Sequence, residues 1–306
     1  MFVFGISAIA LRGAVELGLI YSLAALGVFL SYRVLDVADL TVDGSFTLGA
    51  AVCTVATLAG HPLLAVPLAM AAGALAGFVT ALLQTKLKVQ PILAGIITMT
   101  ALYSLNLRVM GGKSNLPMLK TTTLYDILGA AFPPKYAQLA LIVLFALCAG
   151  VALALFLRTQ LGLSIRATGD NPDMVRSSSI NPDHTKTIGL CIANSLVALS
   201  GALLAPYQLF ADISMGIGTV VMALASLIIG EVLLSRRNIP LNIAAAIIGS
   251  VLYRFIITAA LSSSISQSDM KLLSAVIVAA AISYPAIQNQ YRVYKLKKAG
   301  ERSVKG

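Results

Sequence analysis

The chain has 306 residues, of which 58% are hydrophobic and only 11% charged. A soluble domain carries roughly a quarter charged residues, so this composition excludes an ordinary soluble enzyme. The net charge of +10 is spread over short loops and a basic tail (Arg292, Lys295, Lys297, Lys298, Arg302, Lys305), a pattern that excludes a nucleic-acid footprint and suits membrane orientation and contact with anionic lipid headgroups.

In chain order, the N-terminus lacks a charged leader and a small-residue cleavage site, so no cleaved signal peptide is expected. From Gly44 to Thr85 there is no Asp, Glu, Lys or Arg in 42 residues. One crossing needs about 20 residues, so this stretch holds two, with His61-Pro62 as the turn. Hydrophobic runs predict nine spans, at 13–32, 43–60, 63–84, 90–110, 136–157, 183–206, 213–233, 239–260 and 270–288. The expected fold is all-α, a polytopic membrane helix bundle of about nine spans. Residues 1–290 read as one transmembrane domain with a charged loop at 158–186, and 291–306 as a basic cytoplasmic tail.

The basic residues orient it. With the N-terminus outside, 15 of the 22 Lys and Arg residues fall on the cytoplasmic side, among them Arg33, Lys86, Lys88, Arg158, Arg166, Arg176, Lys186, Arg236 and Arg237. Of the remainder, Arg108 and Arg254 lie near the outer ends of spans and are expected to snorkel. The C-terminus is then cytoplasmic.

Two segments look irregular: Ala38-Asp39-Leu40-Thr41-Val42-Asp43-Gly44-Ser45 and Ala211-Asp212-Ile213-Ser214-Met215-Gly216-Ile217-Gly218. Both begin A-D-[LI]-[ST] and run through Gly into an apolar helix, and the predicted topology has them entering from opposite faces. Paired Gly-interrupted segments point to a translocation site in transporters. The local alternative is that Asp43 and Ser214 are helix caps. Four shared residues do not establish a repeat.

Polar residues inside the spans are few: Glu16, Asn106, Asn194 and Glu231. Glu231 precedes Arg236 and Arg237 closely enough to suggest an ion pair with them, and Asn194 suggests an interhelical hydrogen bond. No chain of carboxylates or histidines resembles a proton relay. Gly-Ala-Leu-Ala-Gly at 73–77 and Gly-Ala-Leu-Leu-Ala at 201–205 suit close helix packing, within the bundle or across a dimer. Cys53, Cys148 and Cys191 read as small buried apolar residues, and no metal-ligand spacing or nucleophile elbow is present. Gly112-Lys113-Ser114 is not a phosphate loop, because the required earlier glycine is Leu107 and no strand precedes it.

Between Leu157 and Ser195 the chain turns polar, with Arg158, Arg166, Arg176 and Lys186 against Asp170, Asp173 and Asp183. Asn-Pro-Asp occurs at 171–173 and 181–183. Asn as N-cap, Pro at the first helical position and an acid in the first turn predict a short helix from Pro172 and a new span near Pro182.

The residues Leu161-Gly162 and Arg166-Ala167-Thr168-Gly169-Asp170-Asn171-Pro172 closely resemble the cytoplasmic loop of bacterial ABC importer permeases of the branched-chain amino acid and ribose type. The loop of that family typically reads R-A-x-G-x-N-P-x-A-A-x-x-x-G-I; here Met174-Val175-Arg176 and Ser179-Ile180 depart from it. Asp39 to Phe46, Ala225 to Glu231 and Lys271 to Ala275 resemble the same family, the latter two its tryptophan/tyrosine subgroup, so the resemblance covers about residues 13–288. It implies a type II ABC importer-like bundle in which two permease chains, as a homodimer, form a pathway. Separate ABC ATPase subunits carry ATP and Mg, with no cofactor or catalysis in this chain. An extracytoplasmic substrate-binding protein delivers a small polar solute, an amino acid, across the bacterial cytoplasmic membrane. The resemblance makes the helix of the 170s a coupling element, with Arg166, Ala167, Gly169, Asp170, Asn171, Pro172, Asp173 and Arg176 meeting the ATPase. The irregular segments nominate Thr41, Asp43, Ser45, Tyr207, Gln208 and Met215 as pathway lining. The residues alone also admit an ion-driven secondary transporter or a membrane scaffold or sensor.

Overall fold

The structure is a computed structural model that describes residues 8–119, 121–130, 133, 136–234, 238–262, 272, 275–280 and 283. Readings that rest on Lys120, Lys135, Arg236, Arg237, Lys271, the basic tail and most of the 270–288 span lie outside the described residues.

Among the described residues, seven helices are long and apolar enough to cross a membrane. Helix α1 (Ala8–Val28) continues through a π-helical stretch, Phe29–Val34; then follow α2 (Thr41–Leu58), α3 (Pro62–Thr85) and α4 (Pro91–Val109). After a short strand β1 (Asn115–Pro117) and a one-turn α5 (Leu124–Gly129) comes α6 (Ala137–Phe156). Helices α7 (Gln160–Asp170) and α8 (Pro172–Ser177) lead into α9 (Pro182–Gln208). Strand β2 (Phe210–Asp212), α10 (Thr219–Leu233) and α11 (Ile239–Ser262) complete the described chain. The two strands pair antiparallel, Leu116 opposite Ala211.

Proline and asparagine set the helix starts. α3, α4, α8 and α9 each have Pro in the first turn, where its missing N–H costs nothing. Both Asn-Pro-Asp starts lie where the sequence puts them: Asn171 accepts from the amides of Asp173 and Met174, and Asn181 from that of Asp183. Helix α7 is an addition to the sequence reading. Thr159 caps it by accepting from the Gly162 amide, and Gly162, Ile165 and Thr168 form its buried stripe.

Helix α9 is the axis. At 1.5 Å per residue its 27 residues reach about 40 Å, enough to cross a bilayer. Glycines let its neighbours approach. A methyl built at Gly49 would overlap the Ala198 carbonyl, and one at Gly201 the Phe46 carbonyl, so α2 and α9 touch backbone to backbone. Gly73 and Gly77 do the same for α3 against Asn194, Ala198 and Leu190. The small-residue patterns therefore serve packing within this bundle.

These contacts order the helices along the axis. α1 runs against α9, with Ser200 donating to the Ile20 carbonyl at 2.7 Å and Gly27 lying on Ala193. α2 runs with α9, since Ser45 meets Asn194 and Gly49 meets Ala198. One end of the bundle thus carries α7 and α8, and the other carries the β-ribbon and α5. At the ribbon end Tyr125 of α5 donates to the Leu203 carbonyl at 2.9 Å, and Met110 and Met118 bury beside Ala50 and Ala205.

The seventh expected span is shorter than its apolar run. Residues 213–218 are turns, and α10 begins only at Thr219. Its 15 residues reach about 22 Å, less than a ~30 Å hydrocarbon core. Cys148 also departs from expectation: it is exposed, because α6 buries only one stripe, and it lines an apolar groove of about 550 Å³ with Met70, Phe145 and Cys191.

Gly201→Val should lower stability by about 1–3 kcal/mol or block folding, because the branched side chain must displace the α2 backbone. Gly129→Ala, whose nearest neighbour outside its own helix would lie 3.4 Å away, should change little. Thermal unfolding of both variants in detergent distinguishes these outcomes; equal midpoints would refute the close-packing account.

Candidate functional site

The two irregular segments meet inside the bundle. After α1 ends, Asp36 takes a left-handed conformation (φ 53°) and the chain turns back along α9. Leu35 packs on Gly189, and Asp39 meets Asn194 further along the same helix. α2 therefore starts within the protein, approached from the α8 end. The second segment arrives from the ribbon end, descending from β2 through 213–218 until Gly216 lies on the Asp43 carbonyl. Each segment opens with the same turn. Asp39 accepts the Thr41 amide at 2.9 Å, and Asp212 accepts the Ser214 amide at 2.8 Å. The shared A-D-[LI]-[ST] residues thus have one local structure, an Asx turn.

Asp43 joins the two. Its carboxylate accepts the amides of Gly218 and Val220, each at 2.9 Å, and the Thr47 hydroxyl accepts that of Gly216 at 3.1 Å. Asp43 is therefore a cap for α10, not for its own helix, and it places negative charge at a helix N-terminus where the macrodipole favours it. Ser214 caps nothing; its hydroxyl also turns to Asp212. Burial opposes the charge on Asp212, but hydrogen bonds from Ser214 and Asn115 outweigh it and hold the carboxyl below its ordinary value.

Beside this junction lies a cavity of about 400 Å³, lined by Asp43, Thr47, Met99, Tyr103, Asn106 and Ile213 among others. Asn106 is buried and donates to the Gly44 carbonyl, while its Oδ1 has no partner among the described residues.

Of the nominated lining residues, Asp43 alone touches this cavity. Thr41 shares a hydrogen bond with Thr80 at 2.7 Å. Ser45 donates to Asn194, which donates in turn to Asp39. Thr41 and Ser45 therefore fasten α2 to α3 and α9. Tyr207 donates to Glu16 at 3.1 Å, and Glu16 pairs with Arg12 at 2.8 Å. Gln208 is exposed at the end of α9, and Met215 packs against apolar side chains. Thr47 and Asn106, absent from the nominated lining, do touch the cavity; for Asn106 the signal is its polar side chain within an apolar span.

Two charged side chains find partners inside the bundle. Glu231 pairs with Arg33 of the α1 extension at 2.9 Å, so among the described residues its basic partner comes from another helix. Arg254 does not snorkel. Its guanidinium lies over the Tyr21 ring, 3.9 Å from the centroid. Helical side chains tilt toward their own N-terminus, which carries Arg254 away from the nearer end of α11 and into the bundle.

The second feature is the elbow of α7 and α8. Asn171 ends one helix and caps the next, in an extended conformation that turns the chain sharply. The elbow is seated on the bundle. Gly169 lies on the Val34 carbonyl, Thr168 and Thr185 share a hydrogen bond at 2.7 Å, and Val175 is buried. Asp170, Asn171, Asp173, Met174 and Arg176 are exposed, with Arg166, Ala167, Gly169 and Pro172 half-buried behind them. Ser179, where the resembling loops carry Gly, takes a left-handed φ of 61°. Among the described residues no three His, Cys, Asp or Glu side chains gather as a metal site.

Long apolar helices among the described residues, plus a capped polar elbow at one end, are the architecture of a multi-pass membrane protein. Residues 10–282 match the family described as the permease component of the branched-chain amino acid transport system. The chain belongs to that family and is a permease component of an ABC-type transport system. It is 39% identical over 266 residues to the tyrosine transport system permease protein of Clostridioides difficile, covering 87% of this chain and 88% of that one. An uncharacterized protein of Rickettsia prowazekii is 32% identical, covering 88% and 95%. The autoinducer 2 import system permease protein of Yersinia enterocolitica is 29% identical over 62% of this chain and 50% of its own. No solved structure matches the chain.

Asp43→Ala should cost about 2 kcal/mol, because it strips the cap from α10 and leaves inward-facing amides unpaired. Asp43→Asn should keep part of that. Hydrogen exchange at 218–220 should accelerate most in the alanine variant; unchanged protection would refute the cap. Separately, Ser179→Gly should stabilise the elbow by about 0.5–1 kcal/mol, because Gly adopts positive φ without the steric penalty of a side chain. Thermal unfolding in detergent reads this, and a lower midpoint would refute it.

Proposed function

We propose that this chain is the membrane-spanning subunit of an ATP-driven importer that carries an amino acid, with tyrosine or a related aromatic one as cargo, into a bacterial cell across the cytoplasmic membrane. The observation that carries the proposal is the α7–α8 elbow. A free loop would transmit nothing, whereas this element is capped at both turns and seated on α1 and α9, so a push on it reaches the bundle. The exposed Met174 offers an apolar knob between Asp173 and Arg176, a combination suited to a cleft on a soluble motor subunit. ATP and Mg would belong to that motor.

The elbow end is assigned to the cytoplasm because Arg33, Lys86, Lys88, Arg158, Arg166, Arg176 and Lys186 gather there. The β-ribbon end would then face the outside and receive a substrate-binding protein. A second copy of the chain would complete the pathway. The cargo rests on the name of the Clostridioides difficile relative at 39% identity. Alternating access would work at the junction, where α2 and α10 start inside the protein and can tilt about Asp43.

Asp170→Arg and Arg176→Glu should each cut ATP-driven uptake roughly tenfold or more, since removing a complementary interface charge costs a few kcal/mol. ATP hydrolysis should persist but no longer follow substrate. Uptake into proteoliposomes, with and without the ATPase, is the measurement. Normal coupling in both variants removes the elbow from the mechanism, and uptake driven by an ion gradient without the ATPase removes the importer reading altogether.

A further inference from the structure

We infer that Arg254 is a carboxylate-binding residue of the translocation pathway. The inference rests on the importer reading and extends it to the chemistry of recognition.

Arg254 lies well inside α11, two turns from its described end, and is half-buried. A cation at such depth in a membrane is expensive and needs a polar reason to persist. Arg12 and Arg33, nearer the bundle ends, each have one: Arg12 pairs with Glu16 and Arg33 with Glu231. Among the described residues Arg254 has no carboxylate within 4.0 Å. Its contacts are the face of Tyr21 and, from Nη2, the Met222 sulfur at 4.0 Å, a weak acceptor. Its Nε is buried without a hydrogen-bond partner.

A guanidinium stacked on a ring keeps its edge free. That edge carries the donors that match a carboxylate in two parallel hydrogen bonds. Tyr21 itself stacks on Phe46, with centroids 5.5 Å apart and planes 10° from parallel, so the cation ends a short aromatic column. An amino acid presents the anion that this guanidinium lacks.

The position agrees. Phe46 is one helical turn beyond Asp43 on α2, and Met222 one turn beyond Thr219 on α10. The cluster therefore sits next to the junction that would move during transport. Thr219, fully buried, also has a hydroxyl with no partner among the described residues.

The test uses the complete complex in proteoliposomes, with radiolabelled L-tyrosine as probe. Arg254→Gln should reduce uptake tenfold or more while ATP hydrolysis stimulated by loaded binding protein continues. Arg254→Lys, which keeps the charge but loses the fork, should fall in between. A cysteine at 254 should react with a water-soluble thiol reagent during turnover and be protected by L-tyrosine. Uptake by the Gln variant within twofold of wild type overturns the inference. So does a loss of uptake and hydrolysis in step with folded yield, or a cysteine that never reacts. If the wild-type complex itself moves no L-tyrosine on ATP, the importer reading falls and takes this one with it.

Discussion

The structure depends on one carboxylate that caps a helix it does not belong to. Asp43, in the first turn of α2, holds the opening amides of α10. Without such a partner the start of α10 would be a set of unpaired donors inside a membrane protein, where each costs several kcal/mol. With it, the chain can afford two helices that begin in the interior. The same bond keeps the descending 213–218 segment against α2, beside a 400 Å³ cavity whose mostly apolar lining includes Asp43, Thr47 and Asn106.

Around that joint the protein is held by close backbone contact more than by charge. Glycines on α2, α3 and α9 bring main chains together, and the buried polar links are short and mostly neutral: Thr41 with Thr80, Ser45 with Asn194, Ser200 with Ile20. Such contacts are specific in register, because a shifted glycine meets a side chain, yet individually modest in energy. That combination suits helices that must keep their partners while changing tilt.

The span pattern and the two Asn-Pro-Asp helix starts were legible because their signals are local: an apolar run, a capping side chain, a fixed proline φ. Helix α7 was hidden because its buried stripe is Gly162, Ile165 and Thr168, too little apolar surface for periodicity to register. The irregular segments could be found from their glycines, but not what they do together. That Asp43 caps α10 rather than α2, and that Glu231 meets Arg33, follows from contacts across more than a hundred residues. Arg254 lies near enough to the end of its span to suggest snorkelling, yet its side chain leans back toward the helix N-terminus and onto Tyr21. Thr41 and Ser45 were plausible as lining by composition, yet they lie on the face of α2 that α3 and α9 cover.

The β-ribbon gives its end of the bundle a mechanical grip on the interior. Pairing of Asn115–Pro117 with Phe210–Asp212 ties the α4–α5 connection to the strand from which the Gly216 turn hangs. Only six residues separate that strand from α10. Strain applied by anything docking on the ribbon is therefore delivered, through a strut too short to go slack, to the amides that Asp43 grips.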